Sequence, residues 1–201
     1  ALFNAATLYR GLNNDAESIS LYKRFIAAYP KDELSKQSRL EIAQLAEKAN
    51  NYSEALTYYN QYAGLFPDKS ERNLVARARV AKILLSQNNQ KDALKEIKRL
   101  HKDLTAPGAP PALEARKIAA GALFNDLESS FRSFQLIKVS NAAKIEQEVI
   151  AKQTRLVELV KRYEEVIALG AGEFTVASLF RLGEMNENFS KILFDAPAPA
   201  G

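Results

Sequence analysis

The first half of the chain repeats one pattern of apolar positions. In each copy the apolar residues lie three or four apart, which is the spacing of one face of an α-helix. The first two copies are 37 residues apart and match at Tyr22 and Tyr59, Phe25 and Tyr62, Tyr29 and Phe66, and Pro30 and Pro67. A third copy follows 38 residues later with aliphatic residues at Ile97, Leu100 and Leu104. A fixed period of this length predicts a stack of similar helical units.

Small residues recur with the same period. They are Ala6, Ala43 and Ala81 in one predicted helix of each unit and Ser18, Ala55 and Ala93 in the next. Two antiparallel helices can approach closely only where their side chains are small, and larger side chains fill the space beyond. Each unit is therefore predicted to be a helical hairpin whose remaining apolar face is covered by the next hairpin.

At these residues the chain resembles the tetratricopeptide repeat, a family of helical hairpins. The resemblance covers about residues 1–106 and divides them into repeats at about 1–34, 35–71 and 72–106. It implies an all-α fold, an α-solenoid of antiparallel helix pairs wound into a superhelix. The chain departs from the family in having a period above about 34 residues. It also has Arg39 and Arg77 where the family has a bulky aromatic residue early in the first helix.

The segment from Leu21 to Pro30 is similar to bacterial envelope proteins of this family, such as the outer-membrane assembly lipoproteins. This resemblance implies a bacterial protein in the periplasm or cell envelope rather than the cytoplasm. The chain opens on Ala1 inside a predicted helix and ends in a Pro/Ala tail, so we expect it to be part of a longer protein.

Residues 107–201 are predicted to form a degenerate repeat followed by longer helices and the Pro/Ala tail. Proline and glycine at 107–111 break the helical pattern. We expect helices at 112–124 and 127–139, separated by a turn at Asn125 and Asp126. A long helix is expected at 142–169, capped by Ser140 or Asn141. Gly170 and Gly172 end it, and a last helix follows at 173–194 until Pro197.

The composition excludes several classes of function. The 201 residues contain no cysteine and one histidine, which removes disulfides, thiol catalysis and the usual zinc ligand sets. His101 is read as an ordinary histidine near a helix C-terminus. There is no glycine-rich phosphate loop and no apolar run long enough to span a membrane. We therefore predict no enzyme activity, no cofactor and no metal.

Basic residues form two groups, one at Arg72, Arg77, Arg79 and Lys82 and one at Lys91, Lys95, Lys98, Arg99 and Lys102. For the second group, which has helical spacing, the favoured interpretation is a solvated face whose charges pair with Asp92, Glu96 and Asp103. The alternative is a surface for an acidic partner. The net charge of +4 is too small and too dispersed to favour nucleic acid.

The resemblance implies that a partner peptide or helix lies on the concave face, which the first helix of each repeat lines. The family's groove positions correspond to Phe3, Thr7, Arg10, Leu40, Gln44, Glu47, Ala78, Lys82 and Leu85. Our first hypothesis is thus a non-catalytic scaffold that binds another protein. The alternatives are a self-associating spacer that pairs through Phe189, Leu193 and Phe194, and a piece of an enzyme whose active domain lies elsewhere. Tyr58 is predicted to face outward.

Overall fold

The computed structural model describes residues 1–65 and 69–197 of the chain. Within these residues every regular element is helical, in agreement with the predicted all-α class. The α-helices are α1 (Leu2–Gly11), α2 (Asp15–Ala28), α3 (Glu33–Lys48), α4 (Tyr52–Leu65), α5 (Glu71–Ser86), α6 (Gln90–Leu104), α7 (Leu113–Leu136), α8 (Ile145–Ala168) and α9 (Gly172–Phe194). The repeat positions Phe66 and Pro67 and the end of the Pro/Ala tail lie outside the described residues.

The chain divides into two compact units, an N-terminal unit of Ala1–Ala115 and a C-terminal unit of Arg116–Gly201. The N-terminal unit stacks the hairpins α1–α2, α3–α4 and α5–α6, and each hairpin packs on the next through α2 with α3 and α4 with α5. The segment that follows α6 leaves the helical pattern, with Gly108 at a φ of 74°. The predicted boundary between residues 106 and 107 stays a prediction.

The small residues lie where each hairpin crosses most tightly. Ala6, Ala43, Ala81, Ser18, Ala55 and Ala93 have no exposed surface. Ser18 also donates a hydrogen bond from Oγ to the carbonyl oxygen of Ala6 at 2.9 Å, which satisfies its buried hydroxyl. Tyr22, Tyr59 and Tyr62 fill the space beyond as predicted, and all three are buried. The prediction for Tyr58 is wrong, because Tyr58 is half-buried and packs against the cores on both sides of α4.

A pair of asparagines makes the turn inside each hairpin. The first of each pair, Asn13, Asn50 or Asn88, has a positive φ of 58° to 60°. Asparagine tolerates this left-handed conformation better than most other residues. The second asparagine begins the next helix, where its side-chain oxygen accepts a hydrogen bond from the backbone N–H three residues on. One dipeptide therefore ends one helix and starts the next.

The C-terminal unit consists of three long helices. Phe124 of α7 packs edge-to-face on Tyr163 of α8 at 5.9 Å, and α8 packs along α9. Gly121 of α7 admits the ring of Phe174 from α9 so closely that a Cβ there would lie 2.8 Å from Cζ. Asn141 caps a short 3-10 turn at Ala142–Lys144 and not the long helix itself, since α8 begins at Ile145. Gly170, with a φ of 66°, follows the end of α8 as predicted, whereas Gly172 is the first residue of α9.

The turn predicted at Asn125 and Asp126 is wrong, because α7 runs unbroken through both residues. Leu123 and Leu127 are buried on either side of them, and Asp126 accepts a hydrogen bond from Arg162 at 2.6 Å. These tertiary contacts outweigh the turn preference of the two residues. The two helices predicted at 112–124 and 127–139 are thus one helix.

Candidate functional site

A groove of about 1170 Å³ runs along the first helices of the three hairpins. It lies within the N-terminal unit, and its walls come from α1, α3 and α5, with two tyrosines of α4 and Glu114 at the start of α7. On α5, Glu71 and Ile83 line the groove beside a row of five residues, Arg72, Val75, Arg79, Lys82 and Ser86. Their spacing of three or four places them along one side of the helix, so a single face of α5 forms this wall.

The centre of the groove holds an electrostatic network. Arg79 donates a hydrogen bond to Glu47 of α3 at 3.0 Å and also pairs with Glu114. Glu47 in turn accepts a hydrogen bond from the Tyr59 hydroxyl at 2.7 Å. Burial raises the pKa of Tyr59, and the hydrogen bond to Glu47 raises it further, so Tyr59 stays a neutral donor. Burial opposes the charge of Arg79, but Glu47 and Glu114 outweigh it and raise the pKa of the guanidinium.

On the α1 side of the groove, another ion pair joins the first two hairpins. Arg10 of α1 pairs with Glu41 of α3, and its guanidinium also lies 3.5 Å from the side-chain oxygen of Gln44. The carboxylates of Glu41 and Glu47 are therefore engaged by cations from neighbouring helices. Because these pairs neutralise charges inside the groove, they leave little net charge on the α3 wall.

Two cations on the α5 wall have no such partner. Arg72 and Lys82 are both exposed, and neither forms an ion pair with any residue that the structure describes. Leu40 and Val75 provide apolar surface on the opposing walls. The groove thus offers apolar contacts beside two exposed cations that form no ion pair, and one carboxylate, that of Glu71, lies next to Arg72 in sequence. This arrangement suits an extended or helical peptide with acidic residues.

The structure brings together five of the nine predicted groove residues. Arg10, Leu40, Gln44, Glu47 and Lys82 line the groove. Phe3, Thr7 and Leu85 lie outside it: Phe3 is half-buried with its ring 5.6 Å from that of Tyr22, the Thr7 hydroxyl lies 3.2 Å from the Tyr22 hydroxyl, and Leu85 is half-buried.

The assignment of Ala78 to the contact surface is wrong, because its side chain has no exposed surface. Ala78 is the counterpart of Leu40 in the third repeat. The longer leucine reaches the groove, whereas the alanine methyl group stops below the surface.

The sequence interpretation missed Val75 as a groove residue and placed Arg72 and Arg79 in a basic group without assigning them to the groove. Counting back from Lys82 in steps of three or four identifies all three, so the signal was present. Arg77, which belonged to the same predicted basic group, has a different role. It donates to Glu96 at 2.6 Å and to Asp103 at 2.8 Å on α6, so it holds the third hairpin together.

The second basic group differs in part from its prediction. Lys91, Lys95, Lys98, Arg99 and Lys102 are exposed on α6. Of the predicted acidic partners, Glu96 pairs with Arg77 and Arg99, and Asp103 pairs with Arg77 and Lys69. Asp92 takes part in the cap of α6 with Asn89. His101 is half-buried on the same helix.

Among residues 1–65 and 69–197, no three His, Asp or Glu side chains come together as metal ligands would. Over the same residues, each helix is either too short or too polar to cross a lipid bilayer.

Comparison with known proteins identifies the repeats. The family model of the tetratricopeptide repeat matches residues 1–32 and 37–69, which cover the first hairpin and nearly all of the second. Within the N-terminal unit, the first two hairpins are thus similar to tetratricopeptide repeats. No curated protein matches the chain.

Solved structures include two similar folds. Both are crystal structures of the nearly identical TPR-like repeats of a putative kinesin light chain from Podosopora anserina, one of them a single-residue variant. The variant is 15% identical with a TM-score of 0.48, and the match covers 94% of this chain and 93% of that one. The second is also 15% identical, with a TM-score of 0.46 and coverage of 92% and 93%.

Proposed function

We propose that this chain is a non-catalytic scaffold that binds a segment of another protein in the groove of the N-terminal unit. The observation that carries the proposal is the face of α5 that presents Arg72 and Lys82, two exposed cations without ion-pair partners among the described residues, beside apolar Val75. Tetratricopeptide repeats are generally protein-interaction modules, which supports the same conclusion.

The spacing of the two cations suggests the chemistry of the partner. Arg72 and Lys82 are ten residues apart on α5, a distance of about 15 Å along the helix axis at 1.5 Å per residue. An extended chain covers that distance in about four or five residues. The segment that fits is therefore extended, with acidic residues about four or five positions apart and apolar residues between them for Leu40 and Val75.

A peptide-display selection tests this proposal even though the partner is unidentified. Random peptides are selected on the whole chain, and the enriched peptides are measured for affinity by fluorescence polarisation. We expect enrichment of paired acidic residues at the stated spacing. The double variant Arg72→Glu with Lys82→Glu should weaken these peptides about 30-fold, since two charge contacts of about 1 kcal/mol each become repulsive.

The matched control is Lys98→Glu with Lys102→Glu. These lysines are exposed on α6, outside the groove, and the change in net charge is the same. Equal loss in the two double variants would show that only the overall charge matters and would refute the groove. Restored binding when the peptide's acidic residues are changed to lysine in the Arg72 and Lys82 variant would place the peptide on α5.

We also propose a bacterial cell envelope as the setting, within a larger assembly. The support is the resemblance of residues 21–30 to envelope proteins of the repeat family. Cell fractionation of the source organism with an antibody against this chain tests the setting, and a purely cytoplasmic signal would refute it.

A second candidate function is self-association through the C-terminal unit. Val176, Leu179 and Phe180 of α9 are 68%, 55% and 63% exposed at helical spacing, and Leu193 and Phe194 are exposed further along. Phe189, the third residue of the predicted seam, is half-buried. Sedimentation velocity should then detect a dimer that Val176→Glu with Phe180→Glu removes, while Ile150→Glu with Val157→Glu on α8 leaves it intact. A monomer at all concentrations would rule this function out.

A further inference from the structure

One position of the repeat is exposed in the first hairpin and buried in the other two. Leu8, Leu45 and Ile83 are equivalent, since they are separated by the repeat distances of 37 and 38 residues. Leu45 is 3% exposed and Ile83 is 2% exposed, whereas Leu8 is 64% exposed. An apolar residue that is interior in two repeats is thus on the surface in the first.

Leu45 and Ile83 are covered in the same way. Leu45 and Ile42 pack with Leu21 and Tyr22, which belong to α2 of the hairpin before. Ile83 and Val80 pack in one cluster with Tyr59 of α4, again from the hairpin before. The second helix of one hairpin therefore covers this position in the next. In the residues that the structure describes, nothing plays this part for α1.

An ion pair also joins the first two hairpins. Glu54 of the second hairpin pairs with Lys23 of the first at 2.6 Å across the contact between α2 and α4. The equivalent of Glu54 in the first hairpin is Glu17, which is exposed and forms no ion pair with any described residue. The edge of α1 and α2 thus carries the apolar half of the contact that joins both pairs of hairpins and the acidic half of the ion pair that joins the first two. The ion pair occurs once, because Asn60 stands at the position of Lys23 in the second hairpin.

We propose that the edge formed by Leu8, the adjacent Tyr9 and Glu17 is a docking site for a further helical hairpin of the same repeat type. The occupant has a second helix that presents an apolar pair like Leu21 and Tyr22, and a lysine one turn away at the position of Lys23. The argument is continuity with an interface that the molecule already forms twice in one register. Repeat stacks are stabilised chiefly by such contacts between neighbouring units. This edge is separate from the groove, so the proposal does not depend on the proposed function.

The test is a tandem duplication in which a second copy of residues 1–37 precedes Ala1 of the whole chain. The junction joins Gln37 to Ala1 just as Gln37 is joined to Ser38 in the native chain, and so keeps the repeat in register. The added α2 should then cover Leu8 as the native α2 covers Leu45. We expect the Tm to rise by about 4 °C or more, and hydrogen exchange in the original α1 to slow at least tenfold.

The variants decide whether the gain comes from the proposed contact. Leu8→Glu in the original copy should abolish the gain in the duplicated chain yet leave the Tm of the unduplicated chain unchanged, since the residue is exposed there. Glu17→Lys in the original copy should reduce the gain in Tm of the duplicated chain. Leu136→Glu, which changes a still more exposed leucine at the end of α7, should preserve the gain in Tm.

Three results would overturn the proposal. The first is a duplicated chain with no gain in Tm and no added protection of α1. The second is a gain that persists with Leu8→Glu. The third is a dimer of the unduplicated chain in sedimentation velocity that Leu8→Glu dissolves, because a second copy of the chain would then be the occupant.

Discussion

The two units of the molecule close their cores in different ways. The N-terminal unit uses one solution three times: alanines at the helix crossing, large side chains beyond them and an asparagine pair in the turn. The C-terminal unit has three helices of 24, 24 and 23 residues with no internal copy among them. Its packing depends on residues that occur once, above all Gly121 and Lys152.

Lys152 illustrates the difference most clearly. It has no exposed surface, and its ammonium donates to the carbonyl oxygens of Phe134 at 3.2 Å and Ile137 at 2.8 Å. It also donates to the side-chain oxygen of Asn188 at 2.8 Å. These bonds satisfy carbonyls at the end of α7 and tie that end to α9. Burial lowers the pKa of Lys152, but three acceptors account for its three protons.

The comparison teaches where each unit is vulnerable. A change in the N-terminal unit meets the same surroundings in three places, so its cost should be reproduced at equivalent positions. A change at a unique residue of the C-terminal unit has no counterpart, and no neighbouring copy can compensate for it.

The largest expected effect is that of Lys152→Ala. We expect it to lower the free energy of unfolding of the C-terminal unit by about 3 kcal/mol, because three acceptors lose a charged donor and a cavity remains. Hydrogen exchange read separately in the two units measures the effect, with the N-terminal unit as internal reference. Lys152→Met fills most of the volume and should cost less. Equal costs would mean that hydrogen bonding, not packing, is the role of Lys152.

The next effect tests the equivalence of the repeats. Ala43→Leu and Ala81→Leu each insert a larger side chain at a fully buried crossing, and each should cost about 2 kcal/mol. Urea unfolding monitored by circular dichroism measures both. Costs that differ by more than about 1 kcal/mol would show that the hairpins are not packed alike.

A smaller effect compares two glycines of the C-terminal unit. A methyl group added at Gly183 of α9 would point into open space, whereas the same group at Gly121 would meet Phe174. Gly183→Ala should therefore stabilise by about 0.5–1 kcal/mol through helix propensity. Gly121→Ala should not be stabilising, because the steric clash with Phe174 offsets the gain from helix propensity. A Tm that rises equally in both variants would show that the ring of Phe174 moves aside freely.

The smallest effect depends on pH. Burial opposes the charge of Asp103, but Arg77 and Lys69 outweigh it and hold its pKa below the ordinary value. A lowered pKa stabilises the folded state above the unfolded pKa of about 3.9, and the benefit is lost as the pH falls through the lower folded value. Asp103→Asn should thus reduce stability at pH 7 by less than about 1 kcal/mol and have no effect near pH 2. Loss at both pH values would point to a packing defect.

The repeat itself made much of the fold predictable. A period of 37 or 38 residues marks equivalent positions, and the small residues found in this way are all fully buried. The asparagine pairs follow the same period and could have located the hairpin turns. The C-terminal unit has no repeat that marks equivalent positions. The turn at Asn125 and Asp126 was therefore predicted only from the conformational preference of these two residues. Their helical state depends on contacts such as that of Asp126 with Arg162, which are remote in sequence.

The groove residues were predictable only where equivalent positions of the repeats face the same surface. Five of the nine predicted residues line it, and the residues of α5 that were missed follow from the spacing of the helix. The ion pairs could not have been foreseen, because Arg79 is 32 residues from Glu47 and 35 from Glu114 in sequence. Side-chain length decided the rest, as Ala78 and Leu40 demonstrate.

The network around Arg79 has a consequence for selectivity. Glu47 and Glu114 already occupy this guanidinium, so the protein carries its own competitive ligands inside the groove. An incoming carboxylate has to displace one of them before it gains Arg79, whereas Arg72 and Lys82 are available at once. In the proposed function, the first two negative charges of a ligand would therefore meet cations that form no ion pair, and a third would have to displace Glu47 or Glu114 from Arg79. The groove would then distinguish its ligands by the number of their charges as well as by sequence.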